Sequence, residues 1–375
     1  MRQAPIRASV GSNPRPKSAY ICVHLRLSFR SVFAFSVSWF VKFGLKSYAR
    51  MRLSILCLGF LFALSLSAVG QQINGFRNQS IQVQGRTRTY RLFVPSDLLD
   101  PVPLVFVFHG TEAPGHGIDS IIKVTRFEQI GEAHHALIIF PEAYEGNWND
   151  GRLNDHARSY RDGIDDIAFV DAMLAQMEHD YHIDRSRIYA TGFSNGAIFC
   201  HYLAAHRSKA FAAIAPVGGP MAIPFSAWFH PQYPVSVLEI HGTADPIVPY
   251  GGGKITDDGG EVLGAEAATE LWAKTNRCRS DCTEIPVPDR TAQDGCYPEA
   301  FEWAQGKDRT DVVLYRIIGG GHTWPGSQIG LLSGFFLGKV CMDFDASEVI
   351  WKFFWDHPAS QRGQESYEPG KERSE

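Results

Sequence analysis

Three side chains that together could cleave an ester or amide bond lie far apart in this sequence, at Ser194, Asp245 and His322. A serine hydroxyl is a weak nucleophile unless a neighbouring base takes its proton, and an imidazole is the usual base near neutral pH. A carboxylate can hold that imidazole in the required tautomer and stabilise its charged form. The sequence therefore predicts nucleophilic catalysis with Ser194 as nucleophile, His322 as base and Asp245 as acid, provided that the fold brings them together.

Ser194 lies at the centre of the pentapeptide GFSNG, residues 192–196. This matches the G-x-S-x-G pattern of a tight strand-to-helix turn that lifts a serine hydroxyl out of a sheet. A side chain at either glycine would collide with neighbouring backbone where the chain reverses. The pattern alone occurs often by chance. Its weight rests on the alternating apolar residues before it and the helix-compatible run 197–206 after it.

A serine at such a turn stands at a helix N-terminus, where free N–H groups and the helix dipole favour a developing negative charge. The residue after the nucleophile, Asn195, supplies one backbone N–H to this oxyanion hole. The loop that follows an early strand, at Thr111, is predicted to supply the other.

Buried strands and helices alternate along the chain. Apolar runs predict a hairpin and strands at 79–95, 103–108, 136–141, 211–217, 235–240 and 312–318. Period-3.6 patterns predict helices at 119–134, 167–181, 197–206, before Asn276, and at 343–356. Such alternation indicates an α/β fold, a mostly parallel sheet with helices on both faces. Ligands bind at the carboxyl ends of strands in these sheets, which is where Ser194, Asp245 and His322 lie.

Other polar and aromatic residues near the same sheet edge have less specific interpretations. His109 and His241 border strands, where histidines more often hydrogen-bond a loop in place than take part in catalysis. Trp148, Phe193 and Trp324 are candidates for an acyl-binding pocket, although aromatic residues there are as often part of the core.

The composition is that of a globular protein with ample material for a core. Of 375 residues, 45% are hydrophobic and 20% are charged. A net charge of −4 leaves no basic surface for nucleic acid, so a nucleic-acid partner is not expected. The sequence predicts neither a metal nor an organic cofactor, and it leaves the oligomeric state open.

The amino-terminal region contains a secretion signal pattern. Met51-Arg52 precedes the apolar run 53–66 and four small residues, which predicts a signal peptide at 51–70 and a secreted protein free of the membrane after cleavage. An uncleaved anchor is the alternative. Residues 1–50 are interpreted as a mis-called start, with a transit peptide as the alternative. The α/β domain that contains the three catalytic candidates then covers 71–357, and the polar tail 358–375 is predicted to be disordered.

Five cysteines remain after the predicted leader. Cys200 lies on the helix after the GFSNG turn, faces the core and is expected to be a free thiol. The other four predict disulfides of an oxidising compartment, with three pairings open, and they are Cys278, Cys282, Cys296 and Cys341. A zinc site from Cys278, Cys282 and Cys296 is the alternative, although no histidine stands nearby at ligand spacing.

Six motifs resemble one known family. They are HGT at 109–111, WNDGR at 148–152, DDIAFVDAML at 165–174, YATGFSNGA at 189–197, HGTADPIVPYGGG at 241–253 and GGGHTWPG at 319–326. Together they look like the secreted polyhydroxybutyrate depolymerase and feruloyl esterase group of α/β-hydrolases, over residues 73–355. The order Ser194, Asp245, His322 is also that of α/β-hydrolases. The segment 277–310 departs from the pattern, because it looks longer and richer in cysteine.

The resemblance implies an α/β-hydrolase fold, an acyl-enzyme mechanism on carboxylic esters and the three catalytic residues already named. Extracellular polyester depolymerases usually add a linker and a granule-binding domain, whereas this chain ends soon after its last predicted helix. That favours hydroxycinnamoyl or acetyl esters of plant polysaccharide as substrates. The alternatives are a depolymerase of poly(3-hydroxybutyrate) or its oligomers, a serine peptidase, and a non-catalytic binding protein on the same scaffold.

Overall fold

The computed structural model describes residues 75–256, 259–328 and 336–360. The described residues all belong to one compact unit, Ile73–Glu375. The predicted leader, the signal peptide and most of the tail therefore lie outside the described residues. No helix in the described part of the chain is long and apolar enough to cross a membrane.

The central element is a sheet of ten strands, accompanied by a separate two-stranded ribbon. In chain order the strands are β1 (Gly75–Val83), β2 (Arg86–Val94), β3 (Val102–Phe108), β4 (Leu137–Pro141), β5 (Ile183–Phe193), β6 (Ala213–Val217), β7 (Ser236–Gly242), the ribbon strands β8 (Gly253–Lys254) and β9 (Glu261–Val262), then β10 (Thr283–Ile285), β11 (Tyr297–Trp303) and β12 (Val312–Ile318).

The sheet is parallel at its centre and antiparallel at both edges. Its spatial order is β1-β2-β4-β3-β5-β6-β7-β12-β11-β10. The pairs from β4 through β12 are parallel, whereas β1, β2, β10 and β11 pair antiparallel. The predicted α/β class with a mostly parallel sheet is confirmed. Parallel strands of this kind are covered on both faces, which explains why β3 is buried along its whole length.

Helices cover the sheet on both faces. They are α1 (Gly117–Val124), α2 (Phe127–Ala133), α3 (Arg158–Arg161), α4 (Asp166–Asp180), α5 (Asn195–His206), α6 (Ile223–Ser226), α7 (Ala265–Asn276) and α8 (Ala346–Asp356). Residues of α4, α5 and α7 share one core cluster with Phe106 and Phe108 of β3. Residues of α1, α2 and α8 share the other with Val105 and Val107. This alternation along β3 follows from the two-residue period of a strand.

Two predicted elements differ from the structure. The single helix expected at 119–134 is two helices, α1 and α2, separated at Thr125. This residue has an extended backbone, and its hydroxyl donates to the Ile121 carbonyl oxygen at 2.8 Å. The segment 277–310 is not only an insertion, because it contributes β10 and β11 and extends the sheet beyond β12.

Candidate active site

Ser194 occupies the sharp turn between β5 and α5. Its backbone has φ +56° and ψ −119°, a conformation that L-residues rarely adopt. The Ser194 N–H donates to the Val217 carbonyl oxygen at 2.9 Å, which pins the turn to the end of β6. Strained backbone of this kind costs about 1–3 kcal/mol and is retained where the surrounding structure enforces it. The turn has the shape that the GFSNG sequence predicts.

The glycines around Ser194 are required by close backbone approach. A Cβ on Gly192 would lie 2.6 Å from the Gly196 carbonyl, and one on Gly196 would lie 2.4 Å from the His109 carbonyl oxygen. Gly219, beyond the end of β6, is equally constrained, since its Cβ would lie 2.3 Å from the Ser194 carbonyl oxygen. Each distance is far inside van der Waals contact, so a side chain at any of these positions would displace the turn.

Asp245 and His322 are joined by a short hydrogen bond. Asp245 follows β7 and His322 follows β12, the neighbouring parallel strand. His322 Nδ1 donates to Asp245 Oδ2 at 2.7 Å, because the carboxylate offers only acceptors. The N–H groups of Ile247 and Val248 donate to the other oxygen, Oδ1, at 2.8 Å each.

These contacts determine the charge state of Asp245. Burial alone would raise the pKa of Asp245, but hydrogen bonds from His241 and His322, together with their charge, hold it below its usual value. The structure therefore favours an ionised Asp245. Because the Nδ1 of His322 donates to this carboxylate, the single ring proton of a neutral His322 is on Nδ1, and its Nε2 has a lone pair that can accept a proton.

The His322 loop is held against neighbouring segments. Its backbone N–H donates to the Leu337 carbonyl oxygen at 2.6 Å, and the Gly321 N–H donates to that of Lys339 at 2.9 Å. The imidazole packs against the ring of Phe193, the residue before Ser194, with ring centroids 4.7 Å apart and the ring planes 35° apart. The described residues include no hydrogen bond from the Ser194 hydroxyl to this imidazole, so their catalytic pairing stays a proposal.

The predicted oxyanion-hole residues lie on either side of Ser194. Asn195 is the first residue of α5, so its backbone N–H has no acceptor within the helix. The loop before Thr111 is in contact with the serine, since a Cβ on Gly110 would lie 3.1 Å from Ser194 Cβ. The Thr111 hydroxyl donates to Asn147 Oδ1 at 3.0 Å.

The Asn195 side chain is braced by the loop that precedes α3, a contact that sequence patterns did not reveal. Its Oδ1 accepts from the Trp148 N–H at 2.8 Å, and its Nδ2 donates to Asp150 Oδ2 at 2.6 Å. Asp150 is itself buried and paired with Arg152 at 2.8 Å. The WNDGR motif therefore stabilises the first residue of α5 through these hydrogen bonds.

The chain is similar in sequence to known esterases. A family model described as phospholipase/carboxylesterase matches residues 101–259. A probable feruloyl esterase C of Aspergillus niger is 28% identical over 284 residues, covering 73% of this chain and 85% of that protein. Feruloyl esterase C of Emericella nidulans is 36% identical over 175 residues, covering 46% and 59%.

A further relative is the bifunctional acetylxylan esterase/xylanase XynS20E of Neocallimastix patriciarum, 27% identical over 180 residues. The match covers 48% of this chain and 24% of that protein. These similarities, together with the sheet topology, show an α/β-hydrolase fold. The family resemblance predicted from the six motifs is confirmed, and the three relatives of this hydrolase given above are named as esterases.

A cleft of about 310 Å³ opens beside the His322 imidazole of the hydrolase. Its apolar side is formed by five side chains, Ile121, Val124, Phe193, Trp324 and Leu337. Its polar side is formed by Glu112, Ser120, Lys123, Thr323, Ser327 and Gln328. A larger cavity of about 500 Å³ lies elsewhere, around Asn149 and Arg207, and none of the predicted catalytic residues lines it.

The three aromatic candidates for this cleft have different positions. Phe193 and Trp324 line it, as their candidacy requires. Trp148 does not line it, because its side chain is 1% exposed and packs between Phe108 and Phe199. Its indole N–H donates to the His109 carbonyl oxygen at 2.9 Å, so Trp148 belongs to the core beneath the turn.

The two strand-bordering histidines also differ. The His109 ring accepts from the Ala143 N–H at 3.0 Å and holds a loop in place, as its interpretation required. His241 has a further role that sequence reasoning missed, since its Nε2 lies 3.3 Å from Asp245 Oδ2. The sequence did contain one indication of a shared environment. His241 follows Glu239 by two residues on β7, which puts both side chains on one face of the strand.

All five cysteines of the described residues are free thiols, so none of the predicted disulfides is formed in the structure. Cys200 is fully buried, and burial raises the pKa of its thiol well above the usual value. Cys296 and Cys341 lie together, with their sulfur atoms and an Asp294 oxygen all within 4.8 Å of one another. The zinc alternative drawn from Cys278, Cys282 and Cys296 shares only Cys296 with this group.

Proposed function

We propose that the protein is a serine carboxylic-ester hydrolase that works through an acyl-enzyme. The observation that carries the proposal is the strained Ser194 turn beside a His322 imidazole that is oriented by Asp245 at 2.7 Å. The esterase relatives support the same reaction class. A second imidazole or a cofactor is not needed for this chemistry, since a serine, its base and an orienting carboxylate form a complete set.

In the proposed mechanism, His322 Nε2 takes the proton of the Ser194 hydroxyl as the oxygen attacks the ester carbonyl carbon. The carbonyl π electrons move onto oxygen, and the backbone N–H groups of Asn195 and Thr111 stabilise that oxyanion. His322 then gives its proton to the leaving alcohol. Water repeats the sequence on the acyl-enzyme and releases the carboxylic acid. Removing one oxyanion donor typically costs about 3 kcal/mol in the transition state.

We propose hydroxycinnamoyl or acetyl esters of plant polysaccharide as substrates. The relatives named for feruloyl and acetylxylan substrates support this class. The cleft beside His322 supports it as well, because its volume of about 310 Å³ and its aromatic side suit a small planar acyl group. Oligomers of 3-hydroxybutyrate, peptides and binding without catalysis remain the alternatives.

A substrate panel distinguishes these alternatives. We expect the purified protein to hydrolyse methyl ferulate or p-nitrophenyl acetate at least about tenfold faster, in kcat/KM, than a peptide anilide. Preferential hydrolysis of the anilide would make the protein a peptidase, and clearing of a polyhydroxybutyrate film would make it a depolymerase. Absence of hydrolysis together with absence of labelling by a fluorophosphonate probe would leave the binding protein.

We also propose that the protein is exported, and that Cys296 and Cys341 form a disulfide in the exported protein. Their proximity supports this pairing among the three open ones. Oxidation would remove one hydrogen atom from each thiol and pass two electrons to a disulfide-bonded oxidase of the exporting compartment. Each thiol now donates to a neighbouring carboxylate, Cys296 to Asp294 and Cys341 to Asp343, at 3.3 Å.

We expect intact-protein mass spectrometry of exported protein to show a mass lower by two hydrogen atoms than the reduced form. Peptide mapping under non-reducing conditions should yield the Cys296–Cys341 cross-link. The matched control is Cys200→Ser, which should retain the cross-link, whereas Cys341→Ser should lose it. A cross-link between Cys278 and Cys282 alone would contradict the pairing.

A further inference from the structure

A row of buried polar groups extends from Asp245 into the core beneath β7. His241 Nε2 lies 3.3 Å from Asp245 Oδ2, and His241 Nδ1 lies 3.8 Å from Glu239 Oε1. The other oxygen of Glu239, Oε2, lies 3.0 Å from His201 Nε2 on α5. The side chains of Asp245, His241, Glu239 and His201 are all 0% exposed. The effect of this row on catalysis depends on which nitrogen and oxygen atoms carry protons.

His201 is a neutral imidazole in this row. The indole N–H of Trp272 donates to its Nδ1 at 2.9 Å, so that nitrogen carries a lone pair. The single ring proton of His201 is then on Nε2 and is donated to Glu239. His201 therefore supplies Glu239 with a hydrogen bond but with no positive charge.

His241 faces only acceptors. Its Nε2 lies 3.0 Å from the Val248 carbonyl oxygen as well as 3.3 Å from Asp245 Oδ2. Its Nδ1 faces Glu239 Oε1, and both of these atoms lack a hydrogen-bond partner although they are buried. A neutral imidazole would direct a lone pair at one of these oxygens. One proton must therefore lie between Glu239 and His241, and it belongs on the nitrogen, since imidazole is more basic than carboxylate by about two pKa units.

The electrostatics of the surroundings agree. Burial alone would lower the pKa of His241, but the hydrogen bond and charge of Asp245, the charge of Glu239 and the Val248 carbonyl together raise it. The other titratable groups near His241 and Glu239 are Cys200 of α5, Tyr250, Arg316 of β12, and His322. Glu266 of α7 lies beyond them and contacts Tyr250 and Arg316.

Arg316 is already engaged by carboxylates other than these. It pairs with Glu299 at 2.6 Å and with Glu266 at 2.9 Å, and the Tyr250 hydroxyl also donates to Glu266. The two buried carboxylates of the row, Asp245 and Glu239, have His241 between them as their shared neighbour.

We propose that His241 is a resident imidazolium, held by Glu239, which shares the carboxylate of Asp245 with His322. His241 is then a positioning residue that acts on catalysis through Asp245. This inference rests on the proposed Ser194–Asp245–His322 mechanism. A permanent cation behind Asp245 opposes a second positive charge on His322, so His322 remains an unprotonated base at lower pH than it would beside Asp245 alone.

The pH dependence of kcat/KM for p-nitrophenyl acetate tests the inference. His322 must be unprotonated, so activity falls on the acidic limb of the profile. We expect His241→Gln to move the midpoint of that limb to higher pH by about one unit, because the cation is removed while a donor to Asp245 is kept. We expect Glu239→Gln to move it in the same direction by less, because His241 then loses its proton. The double variant should move it no further than His241→Gln alone.

The direction of the Glu239→Gln shift is decisive. Direct loss of a negative charge, with His241 unchanged, would move the midpoint to lower pH, and a merely structural role would lower kcat/KM at every pH without moving the midpoint. Either result overturns the inference. The matched control is His109→Gln, a buried histidine that hydrogen-bonds Gly110 and Ala143, and it should leave the midpoint in place whatever its effect on rate.

A measurement independent of activity uses the protein labelled with ¹⁵N in its histidine rings. Near neutral pH, we expect one buried imidazole with both nitrogens protonated, whose signals disappear in His241→Gln. Absence of such signals in wild-type protein overturns the inference even if the variants do not fold. Failure of the proposed function is distinguishable, because wild-type protein would then lack ester hydrolysis while the imidazolium signals were present.

Discussion

Replacement of Ser194 by alanine is expected to lower kcat for ester hydrolysis by at least about 10⁴-fold, equivalent to about 5 kcal/mol of transition-state stabilisation. The reason is that no acyl-enzyme can form without the hydroxyl. The fold should be unaffected, since the Ser194 hydroxyl makes no capping hydrogen bond and alanine keeps the same backbone. Steady-state hydrolysis of methyl ferulate and p-nitrophenyl acetate, together with thermal unfolding, measures both quantities.

The matched control for this variant is Ser186→Ala. Ser186 lies on β5, the strand that leads into the Ser194 turn, and its hydroxyl donates to Asp184 at 2.6 Å. We expect its activity to stay within about twofold of wild type and its unfolding free energy within about 1 kcal/mol. Fluorophosphonate should label the control and not Ser194→Ala. Full activity in Ser194→Ala would remove this serine from the mechanism, and the esterase proposal would then need another nucleophile.

Replacement of Asp245 by asparagine is expected to lower kcat by about 10⁴-fold, as the loss of an orienting carboxylate does in serine hydrolases. The amide oxygen can still accept from the Ile247 and Val248 N–H groups. The amide nitrogen then faces His322 Nδ1 as a donor and selects the tautomer whose proton is on Nε2, which cannot take the serine proton. Hydrolysis of the same two esters at several pH values measures the loss.

This variant should also lose stability, and the loss should depend on pH. The pKa of Asp245 is lower in the folded protein than the usual value of about 3.9. Its ionised form therefore stabilises the fold above about pH 4, and this contribution disappears as pH falls through the lower folded pKa. Denaturant unfolding should show the largest difference between wild type and Asp245→Asn near neutral pH and a smaller one in acid.

The control for both measurements is Asp119→Asn, an exposed carboxylate of α1 that pairs with Arg91. Surface ion pairs contribute about 0–1 kcal/mol, so its unfolding free energy and its activity should stay close to wild type. Wild-type activity in Asp245→Asn would show that His322 needs no carboxylate. A stability difference that grows in acid would show that Asp245 is not ionised in the folded protein.

Much of the fold could be predicted because its signals are local. The apolar run that forms β3, the pattern of α4 and the order of elements are encoded over ten or so residues, where strand and helix periods are visible. The break at Thr125 was missed because the apolar pattern continues across it. The strands β10 and β11 were missed because their edge pairing follows from the position of β12, which no local pattern reveals.

What the sequence by itself determined was the choice of chemical groups. The GFSNG turn, the order of Ser194, Asp245 and His322, and the requirement for glycine at Gly192 and Gly196 follow from residue types and the space that a reversing backbone leaves.

Only the tertiary structure decided which groups become neighbours. It placed His241 beside Asp245, Cys296 beside Cys341, and Trp148 in the core. The physical reason is that the two kinds of information depend on interactions over different sequence distances. A side chain's type and local backbone are set by adjacent residues, whereas its contacts are set by the spatial order of strands, which the whole core must satisfy together.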